Sequence, residues 1–192
     1  MSQPWRLIVF NALLSLAAVL FLAAPAFAQI DYRVLATAKT STMAKEMNDV
    51  GALGYKFVAV MGGQTAIGGK EVVVLMQKGG DVTGTYRYHL LATSRTSTMQ
   101  KEMTDAAADG YDYVGQTVFE SAFGGEEIVS IVERGEASAS AFIYKLIATT
   151  KTSTLQKESN DIGRDGFQAL GMTVGKTALG GTEIVVIARK KR

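Results

Sequence analysis

The segment that begins Tyr32-Arg33-Val34-Leu35-Ala36-Thr37 and runs to Lys78 restarts at Tyr88 and again at Tyr144, 56 residues apart each time, with no insertion or deletion. Self-similarity at a fixed period is the mark of a repeat architecture, so the chain folds as one small unit made three times. The three copies can be compared with one another. Positions identical in all three include Tyr32/Tyr88/Tyr144, Thr37/Thr93/Thr149, Lys45/Lys101/Lys157, Glu46/Glu102/Glu158, Asp49/Asp105/Asp161, Gly54/Gly110/Gly166 and Glu71/Glu127/Glu183.

Within a unit, Tyr32 to Ala38 is a short apolar and β-favouring run that predicts a strand. Thr40-Ser41-Thr42 then supplies hydroxyls where a helix should begin, one of which is expected to cap it. Met43, Met47, Val50 and Gly54 follow at helical spacing, which gives a helix of about three turns. Gly54, Gly110 and Gly166 stand where that helix must stop, in the place of a left-handed cap. The aromatic and branched residues of 55–67 predict a second strand, Gly68-Gly69 a two-residue hairpin, and Glu71 to Gln77 a third strand. The unit is therefore strand, helix, strand, strand.

A unit of about 50 residues without disulfide or metal is marginal alone. The expected fold is therefore α+β: three tandem β-α-β-β repeats of period 56, packed as one compact assembly with mainly antiparallel sheet. The repeats occupy 29–80, 86–136 and 142–192, joined by short Gly-, Ser- and Thr-rich surface connections. In the third copy Phe167 replaces the tyrosine after the helix, and Ser159 breaks the apolar stripe at the Met47/Met103 position, which marks either an end unit or a local partner for the serine.

The pattern resembles small bacterial strand-helix-strand-strand domains of unknown function, whose helix ends in a glycine-aromatic pair and whose last strand ends in a basic residue. The matching residues are Gly54-Tyr55, Gly110-Tyr111 and Gly166-Phe167, then Lys78, Arg134 and Lys190. The tryptophan usual after the glycine is absent. The resemblance implies a fold and carries no catalytic residue across.

Residues 1–28 read as an export signal, with Arg6 in a short polar start, an apolar stretch, and Ala26-Phe27-Ala28 as a small-x-small cleavage site. Cleavage leaves Gln29 first, no stable membrane span, and a periplasmic or secreted protein. An uncleaved anchor is the alternative, the apolar stretch being near the ~18–20 residues that a membrane helix needs. The chain has no cysteine, which excludes disulfides, thiolate metal sites and a thiol nucleophile. With 20 basic residues, Arg6 among them, against 18 acidic ones, no broad footprint for nucleic acid exists. The basic run at 189–192 reads as a solvated tail.

The densest repeated polar cluster is Thr40, Ser41, Thr42 and Lys45, repeated as Thr96, Ser97, Thr98 and Lys101 and as Thr152, Ser153, Thr154 and Lys157. At a helix start, unpaired N–H groups and the positive dipole end can receive a small anion or an envelope saccharide. The plainer alternative is one capping hydroxyl with the lysine in solvent. Glu71, Glu127 and Glu183 open the last strand, either as salt-bridge partners or as ligand contacts. His89 is the single histidine, with Arg33 and Lys145 at its equivalent positions, so it is a surface strand residue rather than a repeated metal ligand. Methionines 43, 47, 99 and 103 are core residues. No cofactor and no metal site is expected.

Three functions follow from these residues. The first is an exported non-catalytic ligand-binding or scaffold module presenting the Thr-Ser-Thr/Lys clusters. The second is a structural protein that forms homo-oligomers through sheet edges, with 72–76, 128–132 and 184–188 as the strands at issue; the plainer reading is that these strands are central and buried. The third is a carboxylate-based hydrolase, which matched threes of polar residues argue against, since catalytic groups need dissimilar surroundings.

Overall fold

The computed structural model describes residues 29–65, 69–93, 95–120, 126–136, 142–176 and 181–192. The export signal expected at 1–28 lies outside them. Among the described residues the order is β1 (Asp31–Thr37), α1 (Thr40–Gly51), β2 (Lys56–Thr65), β3 (Gly69–Lys78), β4 (Tyr86–Thr93), α2 (Thr96–Ala108), β5 (Asp112–Glu120), β6 (Glu126–Gly135), β7 (Phe142–Thr149), α3 (Thr152–Arg164), β8 (Gln168–Lys176) and β9 (Thr182–Lys191). The chain is an α+β assembly of three β-α-β-β units, each with a three-stranded antiparallel sheet.

In every sheet the last strand of the unit is central, in the orders β1-β3-β2, β4-β6-β5 and β7-β9-β8. The runs 72–76, 128–132 and 184–188 are thus inner strands, the plainer of the two expectations, and not edges. Their richness in valine and isoleucine suits a strand flanked on both sides. Thr65 pairs with Gly69, so Gly69 opens β3 rather than sitting in the turn expected at Gly68-Gly69; Gly68 itself lies outside the described residues.

Each helix ends as its glycine dictates. Gly54, Gly110 and Gly166 take φ of 89°, 84° and 84°, a left-handed conformation that a side chain resists. The following N–H reaches back to close the helix: Tyr55 to the Val50 carbonyl (3.2 Å), Tyr111 to Ala106 (3.0 Å) and Phe167 to Ile162 (3.0 Å). Met43, Met47, Met99 and Met103 are completely buried, as the helical spacing predicts.

The units do not have private cores. One cluster joins Met43, Met47, Val72, Val74 and Met76 of the first unit to Tyr88, Val129 and Ile131 of the second. The next joins Met99, Met103, Ile128 and Val132 of the second to Tyr144, Val185 and Ile187 of the third. The last is small and belongs to the third unit alone, around Ile147, Ile162, Val186 and Ala188. Burial along the central strands follows from this. Strand β3 alternates, with Val72, Val74 and Met76 buried and Val73 and Leu75 only partly so, whereas β6 is buried on both faces from Ile128 to Val132. The fold is a stack in which one face of each sheet carries the unit's own helix and the other receives the preceding unit.

Candidate functional site

The helix starts do not form the site that the hydroxyl clusters suggested. Lys39, Arg95 and Lys151 occupy the cap positions in extended conformation, and no side chain caps any of the three helices. The nearest hydroxyl used locally lies earlier. Thr37 accepts the Lys39 N–H at 3.3 Å, Thr93 that of Arg95 at 3.1 Å, and Thr149 that of Lys151 at 3.3 Å. The expected capping by Thr40-Ser41-Thr42 is therefore replaced by a threonine turn one step upstream.

The lysines of the clusters pair along their own helices: Lys45 with Asp49 and Lys101 with Asp105 at 2.6 Å, and Lys157 with Asp161 at 2.9 Å. These are exposed pairs four residues apart, worth a few tenths of a kcal/mol each. Thr96 is used differently, donating to the Glu183 carboxylate of the next unit at 2.6 Å. Thr40, Ser41, Thr42, Ser97, Thr98, Thr152, Ser153 and Thr154 lie exposed or half-buried at the starts of separate helices. Glu71 and Glu127 are half-buried at or near the start of β3 and β6. His89 is an exposed strand residue packed edge-on against Tyr111. Among the described residues no group of three His, Cys, Asp or Glu could hold a metal ion.

Three concavities of about 390–430 Å³ lie elsewhere. One is lined by Arg87, Arg134 and Glu136, a second by Asn48, Tyr88 and Tyr111 where α1 meets β4, and a third by Leu146, Glu158 and Asp161 beside α3. None of them is lined by the hydroxyl clusters. Glu102 holds one carboxylate oxygen buried without a partner among the described residues, and burial pushes its carboxyl up.

The specific chemistry of this chain is concentrated where one unit meets the next, and the repeated tyrosine is its centre. At the first junction the Tyr88 hydroxyl accepts the Phe57 N–H at 2.9 Å and donates to the Glu133 carboxylate at 2.9 Å. Burial drives its ionisation far upward, and drives the Glu133 carboxyl up as well. At the second junction Tyr144 repeats the arrangement, accepting the Tyr113 N–H at 2.7 Å and donating to Asp112. Tyr88 is 2% exposed and Tyr144 4%, whereas Tyr32, which no described unit covers, is 56% exposed. Taking a side chain of this size out of water contributes about 1.5–3 kcal/mol.

Four further contacts accompany the tyrosine. The first is an amide clamp. Strand β4 is an edge strand, and Asn48 of α1 closes that edge by donating to the Tyr88 carbonyl (2.9 Å) and accepting the Tyr88 N–H (3.0 Å). Gln100 of α2 does the same for β7, donating to the Tyr144 carbonyl (2.9 Å) and accepting the Leu146 N–H (2.8 Å). An uncovered strand edge invites pairing with other chains, and the clamps cover two of them.

The second contact is an aromatic ring laid on a glycine. A Cβ on Gly115 would stand 2.7 Å from the Phe57 ring, and one on Gly171 would collide with the Tyr113 hydroxyl. Burial pushes the Tyr113 hydroxyl up to about 12. In the third contact, Gly62 presses so closely on β5 that a Cβ would strike the Val118 carbonyl, and its N–H donates to Thr117 at 2.7 Å.

The fourth contact is an ion pair of reversed polarity. Lys56 of the first unit lies 3.8 Å from Glu133 of the second, whereas Asp112 of the second pairs with Arg189 of the third. Arg189 also stacks on Phe142 at 4.0 Å, and Lys190 donates to the Asp165 carbonyl. The basic run at 189–192 is therefore not simply a solvated tail, because its first residue completes a junction.

This arrangement can hold surfaces together, and it assembles no nucleophile, base and oxyanion donor around one point. No family model matches the chain, and no curated protein and no solved structure is significantly similar to it. The class that the fold defines is a stacked array of three β-α-β-β units with two unlike ends. At the leading end, Tyr32, Val34, Val58 and Met61 form an exposed apolar face on the first sheet. At the trailing end, Met172 and Val174 stand exposed on β8 beside α3.

Proposed function

We propose that this chain is an exported, non-catalytic scaffold module of the bacterial periplasm or envelope, whose working surfaces are the two ends of its stack. The observation that carries this reading is the contrast between Tyr32 at 56% exposure and Tyr88 and Tyr144 below 5%, at one and the same position of the repeat. Terminal units of a stacked array ordinarily need a polar outer face. Here the outer face of the first unit keeps the apolar residues of an inner one. Large exposed apolar patches rimmed by polar residues mark protein interaction sites. Reading residues 1–28 as an export signal accounts for the location, and the absence of cysteine suits it.

The test is a native mass spectrum of the chain recovered from its exported compartment, alongside Val34→Glu. A mature chain starting at Gln29, found in an assembly that Val34→Glu releases as a monomer, supports the reading. A monomer carrying a bound small molecule, unchanged by Val34→Glu, overturns it in favour of ligand binding.

A further inference from the structure

We propose that the partner at these ends is a second copy of this chain, docked head to tail, so that the third unit of one copy meets the first unit of the next as each unit within the chain meets its successor. The inference rests on the reading of the ends as working surfaces. What identifies the occupant is that the apolar, clamp and side-chain-pair positions of the internal junctions recur as two halves among the end residues, whereas the Gly62–Thr117 contact does not, Val174 and Met61 standing at its positions.

At the leading end, Tyr32, Val34, Val58, Val73 and Leu75 are the counterparts of Tyr88, Leu90, Val114, Val129 and Ile131, all of which pack in the first shared core. Val34 is 63% exposed, and Val73 and Leu75 are only partly covered. At the trailing end Met172 is 65% and Val174 53% exposed. Their counterparts Val60 and Gly62 both pack at the first junction, Val60 in its core and Gly62 against β5. Apolar surface thus stands open on both halves.

The polar halves match as well. Helix α3 carries both residues that serve elsewhere as clamps: Asn160 at the Asn48 position and Gln156 at the Gln100 position. Among their described contacts they hydrogen-bond only each other, at 3.2 Å on the exposed face. Strand β1, the corresponding edge, is exposed over most of its length. The ion pair has a matched successor too. The internal junctions place Lys56 with Glu133 and Asp112 with Arg189, while the same two positions at the chain ends are Gln168 and Gln77, a neutral amide pair. Where an aromatic ring meets glycine inside the chain, the ends bring Ala169 to Ala59, two small residues in place of one large and one absent.

The three pairings differ in charge and size, and this sets the order. Asp112 placed on the wrong partner would face Glu133, and Phe57 placed on the first unit would meet Ala59 instead of a glycine. Mismatched charge and volume of this kind reject wrong partners. Ser159, in place of Met47 and Met103, makes the helix side of the outer junction more polar than the inner ones. The contact between copies is accordingly weaker than the contacts within the chain. An interface between two different patches is heterologous, and its repetition gives a ring if the rotation closes and a filament if it does not.

The test is sedimentation velocity of the exported chain over a range of concentrations, with Val34→Glu, Met172→Glu and their equimolar mixture. Both substitutions are at exposed positions, and unchanged circular dichroism and melting temperature verify that each variant folds. The wild type should gain mass with concentration and each variant should stay monomeric. The mixture should stop at a dimer, because the free tail of one variant meets the free head of the other and leaves two blocked ends outward. A monomeric wild type at every concentration overturns the proposal, as does a Met172→Glu variant that assembles alone through two heads, or a mixture without dimer. If the purified chain is monomeric but the assembly in its native compartment is still released by Val34→Glu, the scaffold reading stands with a different partner. If neither is seen, both readings fall.

Discussion

Replacing Tyr88 by phenylalanine and, separately, Tyr32 by phenylalanine makes the same chemical change at the same position of the repeat. In Tyr88→Phe the ring still fills the core, but the Phe57 N–H and the Glu133 carboxylate each lose a partner held at 2.9 Å. A buried polar group left unpaired costs about 1–3 kcal/mol, and because Glu133 keeps Lys56 at 3.8 Å the loss amounts to about one such group, roughly 1–3 kcal/mol. In a chain of this size each kcal/mol lowers the melting temperature by about 2–4 °C, which gives a fall of roughly 2–12 °C. Tyr32→Phe removes a hydroxyl from an exposed ring and should stay within about 0.5 kcal/mol of wild type. The assay is urea denaturation followed by circular dichroism at low protein concentration, with thermal melts in parallel. Equal costs for the two substitutions, or a Tyr88→Phe cost below about 0.5 kcal/mol, would refute the assignment of the tyrosine to the junction.

Gly115→Ala should destabilise by about 1–3 kcal/mol through overpacking against the Phe57 ring, and Phe57→Leu should recover part of that loss, a coupling read from a double-mutant cycle in denaturant. Asn48→Ala should cost about 1–3 kcal/mol by stripping both backbone partners from Tyr88, and should speed amide exchange at Tyr88 in particular. The Glu133 carboxyl is raised in the folded chain by burial, so its contribution to stability is full below the ordinary carboxylate range and is lost as pH rises through the raised folded value. Glu133→Gln should therefore flatten the fall in stability over that window, checked by denaturation midpoints across the acid-to-neutral range. An unchanged pH profile would remove Glu133 as its source.

Much of the unit was legible because it depends on neighbours close in sequence. The methionine stripe at 43, 47, 99 and 103 and the glycines at 54, 110 and 166 each declare a local geometry, and each is found there. The hydroxyls of 40–42 misled because a cap is chosen by backbone conformation. The extended residue is Lys39, and Thr37 satisfies its N–H. The central place of β3, β6 and β9 was the plainer of two readings, since a valine-rich strand looks alike whether its neighbours lie on one side or on both.

The junctions were written in the sequence, but out of step with the period. Phe57 answers Gly115 and Tyr113 answers Gly171, a spacing of 58 rather than 56. Aligning like positions of the three copies therefore presents these residues as unrelated variation. Lys56 with Glu133 and Asp112 with Arg189 are 77 apart, and their polarity is exchanged between the two junctions. The tyrosine at 32, 88 and 144 was visible as an identity, but its burial depends on a neighbouring unit, and no described unit covers Tyr32. Identity among repeats marks the part every unit needs, whereas the differences record which neighbour each unit meets.

The account rests on the two ends being the unmet halves of one junction, and a site-directed cross-link tests that most directly. The chain has no cysteine, so Gln77→Cys and Gln168→Cys each introduce a single thiol at positions whose internal counterparts pair as Lys56 with Glu133 and Asp112 with Arg189. With a short thiol-to-thiol linker, the account predicts a cross-linked dimer when the two variants are mixed and little when either is treated alone. Cross-linking of Gln77→Cys to itself as readily as to Gln168→Cys would contradict it.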